Sequence, residues 1–146
     1  MDRETIAQAL KRVPFLTTLN GRDLNYIAGL ASVRSYRAGA IIVQQDDTAI
    51  ALYCILSGQV RVERQQADGA KSILLAEMGP GGFFGEMSLV DDFPRSASVT
   101  AQDDTVCALL SKWDFQKELR SHPEMSLALL RVLSQRIRAL DEKLAI

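Results

Sequence analysis

Gly79-Pro80-Gly81-Gly82-Phe83-Phe84-Gly85-Glu86-Met87-Ser88-Leu89, followed from Pro94 by Pro94-Arg95-Ser96-Ala97-Ser98-Val99, is the stretch from which this chain is best read. A run of glycines frees the backbone to approach an anion. Glu86 to Val90 is long enough for one helical turn, whose first N–H groups find no partner within the helix. Arg95 adds a fixed positive charge. Its guanidinium can hold a phosphodiester through two parallel charge-assisted hydrogen bonds, each worth about 1.5–3 kcal/mol. Glu86 calls for a neutral partner, because a carboxylate beside a phosphate is repelled; a sugar hydroxyl at the other end of the same ligand fits. Each part alone has a plainer explanation, since glycines at a strand end form barrel corners and an arginine after a proline sits in solvated turns. Their conjunction at this spacing points to a pocket for a phosphate and a ribose.

The rest of the chain suits a single soluble domain around that segment. Its 146 residues are 47% hydrophobic and 24% charged, enough to bury a core. Seventeen basic and eighteen acidic residues leave a formal charge of -1, so no field favours nucleic acid or other polyanions. No apolar run approaches the ~20 residues that span a bilayer, and Met1-Asp2-Arg3-Glu4 lacks the apolar core of a signal peptide; a cytoplasmic protein is expected. Cys54 and Cys107 lie in apolar, strand-like stretches and read as reduced, buried thiols.

Periodicity gives helix, then strands, then helix. Thr5 to Val13 is helical in pattern and ends at Pro14, and Asn20 with Asp23 marks the cap of a second helix to about Leu30. Strand-like runs follow at 33–36, 40–44, 50–57, 59–65, 71–78, 96–101 and 104–110, separated by turns at Gln45-Asp46-Asp47, Ala67-Asp68-Gly69 and Gln102-Asp103-Asp104. The aspartates there serve turn geometry rather than a metal. The class expected is α+β, mainly β: an antiparallel jelly-roll barrel flanked by N-terminal helices and a long C-terminal helix. Ser111 three residues before Asp114, and Ser121 three before Glu124 with Pro123 in a first turn, predict helices starting near Lys112 and Pro123.

In the last helix Leu130, Leu133, Ile137, Leu140 and Leu144 recur at alternating three- and four-residue steps, while Met125, Leu129 and Val132 mark a second face. One face would pack on the barrel and the other on a second copy. In a parallel pair with Leu130 at position a, Arg136 falls at g and Asp141 at the following e, poised for an interchain ion pair. The plainer alternative is a helix buried wholly against its own barrel. His122, the only histidine, precedes a proline at a helix start and reads as a surface or capping residue, not a general base. Trp113 is expected to pack in the core. The basic residues Arg131, Arg136, Arg138 and Lys143 are interspersed with acids, and no second helix makes a helix-turn-helix, so direct nucleic-acid binding is not expected.

These residues resemble the phosphate-binding cassette of the cyclic nucleotide-binding domain family, found in bacterial catabolite activators, cyclic-nucleotide-dependent kinase regulatory subunits and gated ion channels. Pro14-Phe15-Leu16 with Leu19 and Asp23-Leu24, Tyr36-Arg37-Ala38-Gly39, Leu52 to Gly58 and Trp113-Asp114-Phe115 are similar to further family segments. The resemblance implies one such domain over 1–146: N-terminal helices 1–32, a barrel 33–111 with its cassette at 79–99, and C-terminal helices 112–146. It assigns the ribose hydroxyl to Glu86 and the cyclic phosphate to Arg95 and Ser96, with Phe84, Gly85, Met87, Ser88 and Ala97 lending main chain or shape. The base would lie between Val62, Leu74 and the last helix, where Arg138 is a candidate contact. Asp46 departs from the family's usual glycine, so backbone strain is expected there. The resemblance implies a sensor of cAMP or cGMP, with a lean to cAMP, no other cofactor and no metal, signalling through the last helix, either as the sensing part of a larger protein whose effector domain lies outside this chain or as a free-standing binder. Two alternatives differ in kind. A cupin-like metal enzyme shares the jelly roll but uses several His and carboxylate ligands, against one histidine here. A ligand-free dimerisation module would keep the fold with a degenerate pocket, leaving Glu86 and Arg95 as costly relics. No triad, nucleophile elbow or P-loop suggests an enzyme.

Overall fold

Alternation of apolar residues over short runs, broken by Gly and Asp turns, builds two four-stranded antiparallel sheets. The structure, a computed structural model, describes residues 1–67, 69, 71–91 and 94–144, so Asp68 of the expected 67–69 turn lies outside the described residues. In chain order the elements are α1 (Arg3–Leu10), a short 3-10 turn (Pro14–Leu16), α2 (Gly21–Leu30), β1 (Ser32–Tyr36), β2 (Ile41–Val43), β3 (Ala51–Ser57), β4 (Val60–Gln65), β5 (Ser72–Met78), β6 (Phe83–Phe84), α3 (Glu86–Asp91), β7 (Ser98–Ala101), β8 (Thr105–Ser111), α4 (Lys112–Ser121) and α5 (Pro123–Leu144). The sheets run β1-β8-β3-β6 and β2-β7-β4-β5, the jelly-roll barrel expected from the strand spacing.

Two of the three helix caps read from a three-residue offset are present: the Asn20 and Ser111 side chains accept from the N–H groups of Asp23, at 2.8 Å, and Asp114, at 3.1 Å. Ser121 does not start α5. It closes α4, and His122 stands between the two helices. Cys54 and Cys107 are buried and unbridged, and burial pushes both thiols up to about 12, so they pack as small hydrophobes. Asp46 adopts the left-handed conformation, φ 73°, that its place in the turn demands.

Two packed cores hold the barrel. One joins α1, α2 and the start of α5 to β3 and β8, with Phe15 edge-on to Phe83 (centroids 4.8 Å apart) and to Phe115 (6.1 Å). The other fills the barrel, where Tyr53 stacks on Phe84 at 4.9 Å. Trp113 lies outside both, 77% exposed, contrary to the core position expected of it. Two residues are about 200° of helix, so once Phe115 faces inward Trp113 must face out. In α5, Met125 and Leu129 are buried and Leu133 packs partly on the core, whereas Leu130, Ile137, Leu140 and Leu144 are exposed. The helix is therefore not wholly buried against its own barrel.

A candidate anion and sugar site beneath the last helix

Between the two sheets and α5 lies a cleft of about 190 Å³. Its wall combines the cassette residues Phe84, Gly85, Glu86, Met87, Ser88, Arg95, Ser96 and Ala97, all predicted from sequence, with Val62 of β4. Gly79 to Gly82 do not reach it. They form a corner seated on β3, where Ile55 and the turn exchange main-chain bonds, Gly81 N–H to Ile55 O at 3.0 Å and Ile55 N–H to Gly82 O at 2.9 Å. The plainer reading of those glycines is thus the correct one, and only Gly85 serves the cleft. At φ 93° it occupies backbone space that other residues rarely adopt, and a Cβ there would collide with Arg95 Nη1.

Arg95 is held by its main chain before its side chain is considered. Its N–H donates to Asp47 O and its C=O accepts from Asp46 N–H, both at 2.8 Å, so the strained Asp46 turn fixes the base of the side chain. The guanidinium is buried, 4% exposed, with Nη2 donating to Ala51 O at 2.8 Å and Cζ 5.7 Å from the Tyr53 ring. Nη1 has no hydrogen-bond partner at all, the only such buried side-chain nitrogen or oxygen among the described residues. A buried cation with an unbonded N–H group is costly and is built where an acceptor is meant to arrive. Desolvation pulls the Arg95 pKa below its ordinary value, partly offset by Tyr53 and by the carboxylates of Glu86 and Asp47.

Glu86, at the start of α3, is equally buried, and burial pushes its carboxyl above the usual carboxylate range. Its own backbone N–H, Arg136 and Arg95 pull the other way. Arg136 is the residue that sequence reasoning missed. It reaches from α5 to donate from Nη1 to Glu86 Oε1 at 3.0 Å, with its guanidinium 4.6 Å over the Phe83 ring. The side chain expected to pair with Asp141 of a second copy is here engaged with Glu86 of its own chain. Arg138 does not line the cleft, being two residues and about 200° further round α5. The stripe Met125, Leu129, Val132 carries the signal that was available, since four more residues lead to Arg136.

Leu74 is likewise displaced from the cleft, by Leu75. Val62 pairs with Ala76 but Glu63 pairs with Leu74, so a bulge skips Leu75 and reverses the facing of every residue before it on β5. Val43, Met78, Phe83 and Val99 complete an apolar end to the cleft. Ser88 is held by a bond from its hydroxyl to Pro94 O at 3.3 Å, while Ser96 is exposed at the cleft edge. The assembly thus offers a buried cation with a free donor, a buried carboxylate and an apolar slot, which suit an anion, a hydroxyl-bearing ring and a flat base. Among the described residues no group of three or more His, Cys, Asp or Glu could hold a metal, and no helix is long and apolar enough to cross a membrane.

Comparison with known proteins agrees with this geometry. Residues 33–122 match the model of the cyclic nucleotide-binding domain, and the chain belongs to that family. It is 35% identical over 135 residues to the cyclic AMP receptor protein of Thermus thermophilus, covering 92% of this chain and 62% of the relative. It is 34% identical over 110 residues to the cAMP-dependent protein kinase regulatory subunit of Colletotrichum orbiculare, covering 75% of this chain and 27% of that protein. The crystal structure of the Thermus thermophilus catabolite activator protein superposes with a TM-score of 0.83 at 35% identity, over 90% of this chain and 62% of that one. The chain therefore spans less than two thirds of the length of these curated relatives.

Proposed function

We propose that this domain, taken as one unit over 1–146, is the sensing part of a regulator that binds a cyclic nucleotide, cAMP in preference to cGMP, and has no catalytic role. The cyclic phosphate would take the free Nη1 of Arg95 and the Ser96 hydroxyl, the ribose 2′-hydroxyl would bond Glu86, and the base would enter the slot of Val62, Leu75 and Met78. The observation that carries this reading is the unpartnered Nη1 of a buried arginine in the same cleft as a buried carboxylate. The preference for cAMP rests on the names of the relatives, a cyclic AMP receptor and a cAMP-dependent kinase subunit.

Signalling would run through α5. Glu86 is already engaged by Arg136, so a ribose competes with α5 for one carboxylate, and ligand binding favours a different helix position. Isothermal titration with cAMP and cGMP tests the assignment. Micromolar or tighter binding, about -8 kcal/mol, should fall about ten- to a hundredfold in Arg95→Ala, since the charge-assisted bond from the free Nη1, worth about 1.5–3 kcal/mol, is lost. Amide exchange along α5 should change on saturation. Silence with both nucleotides would instead leave the ligand-free module, and unchanged binding in Arg95→Ala would refute the site.

The exposed Leu130, Ile137, Leu140 and Leu144 are read as the seam of a homodimer through α5. Light scattering of Ile137→Glu with Leu140→Glu should give the monomer mass where the wild type gives twice that. An unchanged mass would remove the seam. The output would lie in a domain beyond this chain, with no direct contact to nucleic acid or membrane here.

A further inference from the structure

His122 occupies the junction between α4 and α5 and is held there from both directions. Its N–H donates to Glu118 O at 2.9 Å, and its C=O accepts from Met125 N–H at 2.9 Å and Ser126 N–H at 3.2 Å. The ring is mostly enclosed, and each of its nitrogens faces a carboxylate: Nε2 is 3.2 Å from Glu118 of α4, and Nδ1 is 3.3 Å from Glu124 of α5 and 4.0 Å from Asp23 of α2. Glu118 is 3% exposed, and His122 is its one ion-pair partner among the described residues. A neutral imidazole has one N–H and one lone pair, so against carboxylates on both sides it must turn its lone pair toward one of them; only the doubly protonated ring attracts both.

We propose that His122 is a proton-operated clasp that seats the first turn of α5. With two ring protons it binds α4, α5 and α2 together. Loss of one proton leaves a buried carboxylate facing a lone pair, or Glu124 and Asp23 facing it, and loosens the start of α5 while the Ser126 Oγ bond to Leu119 O at 2.7 Å still marks the junction. Glu118, Glu124 and Asp23 are the titratable groups that face the ring, one from each helix packed around it. Since α5 also carries Arg136 to Glu86, the proton and the cleft would be coupled, a consequence that rests on the cyclic nucleotide reading.

The test is made without any nucleotide, so its failure is separate from failure of that reading. His122 is the only histidine, and its two ring nitrogens give a single resolvable set of NMR signals. Those signals report at each pH whether one or both nitrogens carry a proton. Exchange of the amides from Met125 to Leu129, corrected for intrinsic base catalysis, should rise roughly fivefold or more when the ring loses a proton, and should stay level in His122→Gln. Glu124→Gln, at an exposed position, is the second variant: its ring should lose the second proton at lower pH than in the wild type. The same exchange profile in His122→Gln, or an unmoved titration in Glu124→Gln, would each overturn the clasp.

Discussion

The two buried charges of the cleft are treated differently by the fold. Arg95 lies in a local wall, where a turn at Asp46 and Asp47 grips its main chain and its guanidinium keeps an unbonded N–H group. Glu86 stands at the first position of α3, yet its partner comes from Arg136, fifty residues on. One side of the site is preformed and waiting. The other is closed by Arg136 of α5, the helix proposed to carry the signal. A cleft with both charges satisfied would be a structural ion-pair network, and one with neither would be unstable; this asymmetry is what suits a site that both binds and reports.

The asymmetry is most directly broken at α5. Arg136→Ala leaves Glu86 buried without its cation and should cost about 1–2 kcal/mol in urea unfolding, the range for stranding a buried polar group. Glu86→Gln should cost far less, because Arg136 is 42% exposed in its side chain and can turn to water. The pH dependence has a definite sign. Burial raises the Glu86 carboxyl above its ordinary 4.5, so the folded protein takes up that proton at a higher pH than the unfolded chain does. The charged form then costs stability above that window, and the cost disappears as pH falls through the folded value. Lowering the pH from 7 should therefore narrow the stability difference between Arg136→Ala and the wild type, and Glu86→Gln should lack this dependence. Equal losses in the two variants at pH 7 would show that Arg136 does not serve the buried carboxylate.

The same contrast explains what was legible in the sequence. The Arg95 wall was readable because Gly85 to Ala97 lies within one short segment whose residue types name their own chemistry. Seven strands were readable from alternation and turn residues, and β6 was not, since two residues at Phe83–Phe84 carry no period. The caps at Asn20 and Ser111 followed from a fixed offset, whereas Ser121 met the same pattern and ended a helix instead, because two helices meet with only His122 between them. Arg136 was missed, and Leu74 and Trp113 were misplaced, for one reason: each depends on a phase. A helix position two residues off faces the opposite way, and a single bulged residue reverses a strand. Composition does not encode that phase; it is set when Phe115, Met125 and Leu129 bury and the rest of each element must follow.

The bulge gives the finest test of that point. If β5 kept regular pairing past Ala76, Leu74 would face the cleft and Leu75 the solvent; with Leu75 skipped opposite Val62 and Glu63, the order is reversed. Both side chains are about half exposed, so neither substitution should disturb the fold. Leu75→Ser removes apolar surface from the slot proposed for the base and should weaken nucleotide binding several-fold, about 1 kcal/mol for a partly covered leucine. Leu74→Ser should leave the affinity within error. Titration of the two variants side by side measures the facing of β5 directly: a loss at Leu74 with none at Leu75 would mean that the bulge is absent in solution, and equal losses would mean that the base does not use this strand.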